Sequence, residues 1–235
     1  MREPEETYAY SLEEVLAMMA ALPEPTATMV ASIAFTGVRR GELRGFKWEN
    51  YRDGHLAVKE SNWNGHVTDP KSKRSIPIIQ HLAARFVALR EGQGNPISGP
   101  IFPNANGKAA DPNNGLNRII LPVLEACEHC GKPEDAHRHA TVHHNYQRNS
   151  SLPEWHGWHA FRRGAATNLH RLGVDDYTIA QILGHEDVAV TRDCYIKDDN
   201  KEAVTAMEKY QQQLESIMAN NWPPKAKVQP IKGVM

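Results

Sequence analysis

A chain of 235 residues is long enough for one well-cored domain or two small ones, and one is expected. With 40% hydrophobic and 23% charged residues it is neither disordered nor membrane-embedded: no apolar run approaches the ~20 residues of a spanning helix, and MREPEETYAYSLEEV lacks the basic and apolar parts of a signal peptide. A net charge of -1 excludes a bulk electrostatic pull on nucleic acid, but it averages over islands, with acids at 3–14 and 125–135 and bases in RRGELR (39–44), PKSKR (70–74) and FRR (161–163).

SLEEVLAMMAAL (11–22) pairs Ser11 with Glu14 ahead of apolar residues at helical spacing, which predicts a capped helix stopped by Pro23. A second helix is expected over about 26–35, ended by Gly37. Beyond RRGELRGFKW the texture changes to YRDGHLAVKES and HVTDPKSKRSIPII, whose β-branched residues, alternation and DG turn predict a small antiparallel sheet. IQHLAARFVALRE returns to helical periodicity, 92–115 reads as loop, and LNRIILPVLEAC reads as one helix.

Residues 127–154 hold a CxxC pair and five of the twelve histidines, and read as an insertion. HAFRRGAATNLHRLG is a helix closed near Gly173; DDYTIAQILG starts at Asp175 and stops at Gly184. KEAVTAMEKYQQQLESIMA (201–219) is amphipathic through Val204, Met207, Leu214 and Met218, and 220–235 reads as a tail.

In WHAFRRG, Phe161, Ala165, Leu169 and Leu172 form the buried stripe of a helix. Arg163 points away from that stripe and is expected in solvent, whereas Arg162 lies at its flank, one turn from His159, and needs an anionic partner. A lone HxxR would signify little. Elsewhere, however, TGVRRGEL sets Arg39 just past a helix-breaking glycine with Glu42 one turn on, able to hold a guanidinium in a fixed orientation. LGH puts His185 directly after a helix end, and Tyr195 follows ten residues later.

In this order, TGVRRGEL, the basic hairpin PKSKRSIPI, HAFRR, LGH and Tyr195 resemble the catalytic domain of the tyrosine recombinase, or phage integrase, family. They span residues 36–195. The resemblance implies a mainly α fold with a small antiparallel β-sheet (α+β), occupying 1–200, with the Cys/His-rich insertion inside it. Residues 201–219 would form a helix packed on its own domain or exchanged between protomers. The family's usual N-terminal DNA-clamping domain is not expected in this chain.

A phosphodiester repels nucleophiles, so cleaving it needs cationic donors aimed at the nonbridging oxygens. The resemblance assigns that clamp to Arg39 and Arg162, with Glu42 in support, and the attack on phosphorus to Tyr195, giving a 3′-phosphotyrosyl link. His159 would serve as base, since a phenol ordinarily ionises near ~10, and His185 would donate to the phosphate. A hairpin lysine would protonate the leaving 5′-oxygen; Lys71 is the first choice and Lys73 the rival. No cofactor is expected for this chemistry. The implied partners are double-stranded DNA and further copies of the chain in a tetrameric synapse on paired sites, in the cytoplasm with the nucleoid and with no membrane.

CEHCGKPEDAHRHATVHH supplies enough sulfur and imidazole for a tetrahedral structural zinc, with Cys127, Cys130, His137 and His143 as the expected set. The same segment, through HHN (143–145), suggests a rival function, a metal-dependent HNH-like nuclease, although that reading leaves Arg39, Arg162, His185 and Tyr195 without roles. A non-catalytic DNA-binding relative would share the basic islands, and a type IB topoisomerase would share the phenolic chemistry.

Overall fold

The structure, a computed structural model, describes residues 7–63, 65–138, 143–184 and 201–221. It is mainly helical with small antiparallel sheets. Helix α1 (Leu12–Ala21) starts on the capping box, Ser11 accepting from the Glu14 amide while the Glu14 carboxylate accepts from the Ser11 amide. Helix α2 (Thr26–Thr36) is buried on every side. Three of its hydroxyls have acceptors nearby, Ser32 donating to the Thr28 carbonyl at 2.7 Å, Thr36 to that of Ser32 and Thr28 to the Glu24 carboxylate at 2.6 Å, so these polar groups can sit in the core hydrogen-bonded. Gly37, left-handed at φ +62°, caps it and turns the chain into the short helix α3 (Arg40–Arg44).

The expected sheet is present as two pieces. Strands β1 (Tyr51–Arg52) and β2 (His55–Val58) form a hairpin around Asp53 and Gly54, both at positive φ, as a two-residue turn of this kind requires. Strands β3 (Ser61–Trp63) and β4 (His66–Thr68) form a separate hairpin. The chain then returns as β5 (Arg74–Pro77) to pair with β2, setting Leu56 opposite Ile76 and Val58 opposite Arg74. Helix α4 (Gln80–Gly92) packs on α2 and buries Leu82 and Phe86, the Phe86 ring meeting Trp48 and Tyr51 edge-on.

Two elements differ from expectation. The last residues of the expected loop are helical: Asp111 caps α5 (Pro112–Gly115) by accepting from the Asn113 amide at 3.0 Å, with Pro112 in the first turn, where its missing N–H costs nothing. The expected helix over LNRIILPVLEAC is instead a π-turn (Leu116–Ile120) followed by α6 (Leu121–Leu124). Pro122 has no amide to donate to the Arg118 carbonyl, so regular α bonding cannot run through it.

Helix α7 (Trp158–Arg171) packs on α2, and α8 (Asp176–Leu183) is capped by Asp175 and closed by Gly184 at φ +69°. A segment around Tyr10 straps α7: the Tyr10 amide donates to Ala160, and Asn168 and Arg163 donate to the Tyr10 and Tyr8 carbonyls. Arg163 is therefore half-buried and engaged, not the solvated charge expected. Helix α9 (Lys201–Asn221) lies against α1, α7, α8 and β5, burying Ala203, Ala206, Met207, Tyr210 and Leu214, with the Tyr210 ring edge-on to Phe35. Val204, expected in that stripe, lies at its margin.

Candidate active site

Three guanidiniums from three separate elements converge on the C-terminal end of α8. Arg74 of β5 donates Nε to the Ile182 carbonyl at 2.8 Å, Arg162 of α7 donates Nη1 to that of Leu183 at 2.6 Å, and Arg39, at the start of α3, donates Nη2 to that of Gly184 at 3.2 Å. Carbonyls at a helix C-terminus lack intrahelical partners and carry the negative end of the dipole, so cations are favoured there. The next residue in the chain is His185.

Glu42 ties two of these arginines together. Its carboxylate accepts from Arg74 through two bonds of 2.9 and 3.2 Å, from Arg39 Nη1 at 3.2 Å and from the Arg39 amide at 2.9 Å. Burial alone would raise the Glu42 pKa, but the bonds and charge of Arg74, followed by those of Arg39, outweigh it and hold the carboxyl below its usual value. The buried carboxylate thus stays ionised and both forks are fixed in orientation.

Arg162 is 7% exposed. Its Nη1 also donates to the Gly37 carbonyl at 2.7 Å, whereas its buried Nη2 has no acceptor among the described residues. Desolvation, and then repulsion from Arg39, lower its pKa to about 10, so it remains charged at neutral pH. His159, one turn earlier on α7, is exposed at this end of the helix. Desolvation, then the guanidiniums of Arg162, Arg163, Arg39 and Arg40, lower its pKa below 6.5, so its ring is neutral at pH 7 and can accept a proton. Arg40 and the Trp158 indole both donate to the Asn113 side chain, which links α3, α5 and the start of α7.

A model of the phage integrase family matches residues 8–202. The chain belongs to the phage integrase family. A tyrosine recombinase XerC-like protein of Caldanaerobacter subterraneus subsp. tengcongensis is 23% identical over 210 residues, 86% of this chain and 54% of that protein. Among solved structures, XerA recombinase matches with a TM-score of 0.52 at 19% identity, over 91% of this chain and 65% of its own. A lambda integrase tetramer bound to a Holliday junction matches with a TM-score of 0.50 at 17% identity, over 85% and 52%. The chain thus spans about half to two thirds of the length of these relatives. Such structural likeness at low identity establishes the integrase catalytic-domain fold.

Of the residues assigned by the family motifs, the structure brings Arg39, Glu42 and Arg162 together at the end of α8, and the charges of the two arginines act on His159. Lys71 and Lys73 are exposed in the connection from β4 to β5, with Lys73 ion-paired to Asp69 at 3.1 Å. Arg74 ties that connection to the arginine cluster by also donating to the Ser72 carbonyl at 3.1 Å. His185 and Tyr195 lie outside the described residues. Arg74 itself is absent from the sequence-based set, although alternation in β5, where Arg74 and Ile76 share the buried face, is the signal that exposes it. In the insertion, the side chains gathered within bonding range of one metal ion are Cys127, Cys130, His137 and His144. His143, expected in that set, is exposed and its neighbour takes the place.

Proposed function

We propose that this chain is a site-specific DNA recombinase that cleaves and rejoins double-stranded DNA through a 3′-phosphotyrosyl intermediate. The observation that carries the reading is the Nη2 donor of buried Arg162, which has no acceptor among the described residues and is held beside Arg39 at the end of a helix, one residue before His185. A buried, charged donor without an acceptor is costly unless an anion completes it, and a nonbridging phosphate oxygen is such an anion.

In the assigned chemistry, the Tyr195 hydroxyl gives its proton to neutral His159 as its oxygen bonds phosphorus. Arg39, Arg162 and His185 hold the nonbridging oxygens while charge shifts onto them. The bond from phosphorus to the 5′-oxygen breaks, and that oxygen takes a proton from Lys71. One phosphoester replaces another, so the reverse sequence on a new 5′-hydroxyl reseals the strand. The protein acts as an assembly on paired sites, a reading supported by its likeness to the lambda integrase tetramer bound to a Holliday junction, and it works in the cytoplasm where its DNA lies. No described helix is long and apolar enough to cross a membrane.

The test is incubation with a nicked suicide duplex, in which the cleaved end diffuses away, followed by denaturing electrophoresis. The expected result is a covalent protein–DNA adduct that survives excess EDTA and is absent from Tyr195→Phe. An adduct formed equally by Tyr195→Phe would overturn the assignment of the nucleophile. Cleavage without any adduct and abolished by EDTA would support the metal-dependent nuclease instead.

A further inference from the structure

The insertion between α6 and α7 contains a second constellation, unconnected with the arginine cluster. The ligand atoms of Cys127, Cys130, His137 and His144 all lie within 4.8 Å of one another. The geometry points to a structural zinc site formed by these four residues, closing the neck of the insertion.

Three of the spacings among the four lie close to the edges of a tetrahedron centred on zinc. Bonds of about 2.3 Å to sulfur and about 2.0–2.1 Å to nitrogen put neighbouring nitrogens about 3.3 Å apart and a sulfur and a nitrogen about 3.6 Å apart. The His137 and His144 Nε2 atoms are 3.3 Å apart, and the Cys127–His144 and Cys130–His137 sulfur-to-nitrogen distances are both 3.4 Å.

Hydrogen bonding alone accounts poorly for this arrangement. His137 Nδ1 lies 3.0 Å from the Pro133 carbonyl, which can only accept, so the ring proton is on Nδ1. In the neutral ring Nε2 then has one lone pair, which can accept from only one of the two groups it faces, the Cys130 thiol at 3.4 Å and His144 Nε2 at 3.3 Å. A cation at the centre satisfies all of these lone pairs, and a backbone carbonyl fixing the far nitrogen of a ligand histidine is the usual outer support of a zinc site.

The backbone is shaped for the same purpose. After CxxC, Gly131 adopts φ +70° and its amide donates to the Cys127 carbonyl at 2.8 Å, while the Cys127 amide donates to Lys132 at 2.9 Å, a tight turn that aims both sulfurs inward. The other side of the neck is bound by Glu128 donating to Gln147 at 2.9 Å, Asn149 donating to Ala126 at 3.2 Å, and the bridge between Cys127 and Arg148. Arg148 then donates to the Leu152 and Pro153 carbonyls on the path into α7. Zinc would displace two thiol protons, leaving two thiolates and two neutral imidazoles around the ion. With four protein ligands no coordination position is left for water, so the site serves the fold of the segment leading to His159 and Arg162 and not hydrolysis.

The test uses the purified full chain without DNA, so its outcome is independent of the recombinase reading. Elemental analysis is expected to find one zinc per chain, and cobalt substitution should give the visible bands of a tetrahedral ion with thiolate ligands. His144→Ala should lose at least ten-fold in zinc affinity, whereas His143→Ala, one residue away and exposed, should keep full affinity. Limited proteolysis within the insertion should accelerate when a chelator is added to the parent protein and not change further in His144→Ala. Absence of both zinc and a cobalt spectrum would overturn the proposal, as would an unchanged zinc affinity in His144→Ala or a ten-fold loss of affinity in His143→Ala.

Discussion

Glu42 and Arg74 form a two-bond ion pair between α3 and β5, with distances of 2.9 and 3.2 Å and side chains only 1% and 3% exposed. Removing one partner of such a pair strands the other in the core, which costs about 3–5 kcal/mol. Glu42→Gln and Arg74→Met are each expected to lose stability on that scale in urea unfolding, and the double variant should lose less than the sum of the two. A double variant at the full sum would mean that the pair is not coupled.

The same carboxylate sets an acid limit. The pKa of Glu42 is depressed in the folded chain, so its contribution is fully present above its ordinary value of 4.5 and is lost as pH falls below that value toward the folded one. Urea midpoints of the parent protein should therefore drop between pH 5 and pH 3 more steeply than those of Glu42→Gln, which has no proton to gain. Parallel curves would remove Glu42 as a titrating contributor.

Arg162→Lys separates charge from geometry. The guanidinium spends Nη1 on the Gly37 and Leu183 carbonyls and keeps Nη2 for a ligand, two tasks that one ammonium cannot perform together. Adduct formation on the nicked duplex is expected to slow by about 10²–10³-fold. Duplex binding, which draws on many backbone contacts and should weaken steeply with salt, is expected to change far less. Equal losses in both assays would instead mark Arg162 as a residue of general binding.

Much of this arrangement is legible in the sequence because its signals are local. A capping box, a DG turn, and glycines after apolar periodic runs each act within a few residues, and α1, the β1–β2 hairpin, α2 and α8 follow them. The π-turn before Pro122 and the helical start at Asp111–Pro112 depend on equally local chemistry that a reading for continuous periodicity passes over. Arg74 and His144 are hidden for another reason. Whether a basic residue in a charged turn faces inward, and which of two adjacent histidines reaches a CxxC pair, is decided by partners far along the chain, Glu42 and Ile182 for Arg74 and Cys127 for His144.

His159 should leave a signature in the pH dependence of cleavage. Its ring is kept below 6.5 by desolvation and by the guanidiniums of Arg162 and Arg163 on its own helix and Arg39 and Arg40 on α3, so the neutral, proton-accepting form prevails at pH 7. The rate of adduct formation should be level near neutrality and fall only at pH values under 6.5, as the imidazole gains a proton. A fall that begins above 7 would show that the base is a different group.

Gly184 joins the end of α8 to the arginine cluster, and Ala at this position tests that junction. At φ +69° an L side chain costs about 1–2 kcal/mol. Its Cβ would also lie 2.6 Å from Arg74 Nη1 and 2.8 Å from Cζ. That guanidinium is not free to yield, because it is bonded to Ile182, Ser72 and both oxygens of Glu42. Gly173 supplies the control: its φ is +73°, but a Cβ there would meet open space. Gly173→Ala should therefore show the backbone cost alone and form the adduct normally. Gly184→Ala should lose more stability than this and cleave markedly more slowly, since displacing Arg74 disturbs Glu42 and, through it, Arg39. If the two variants were alike in urea midpoint and in adduct formation, the contact between Arg74 and the end of α8 would have no functional weight.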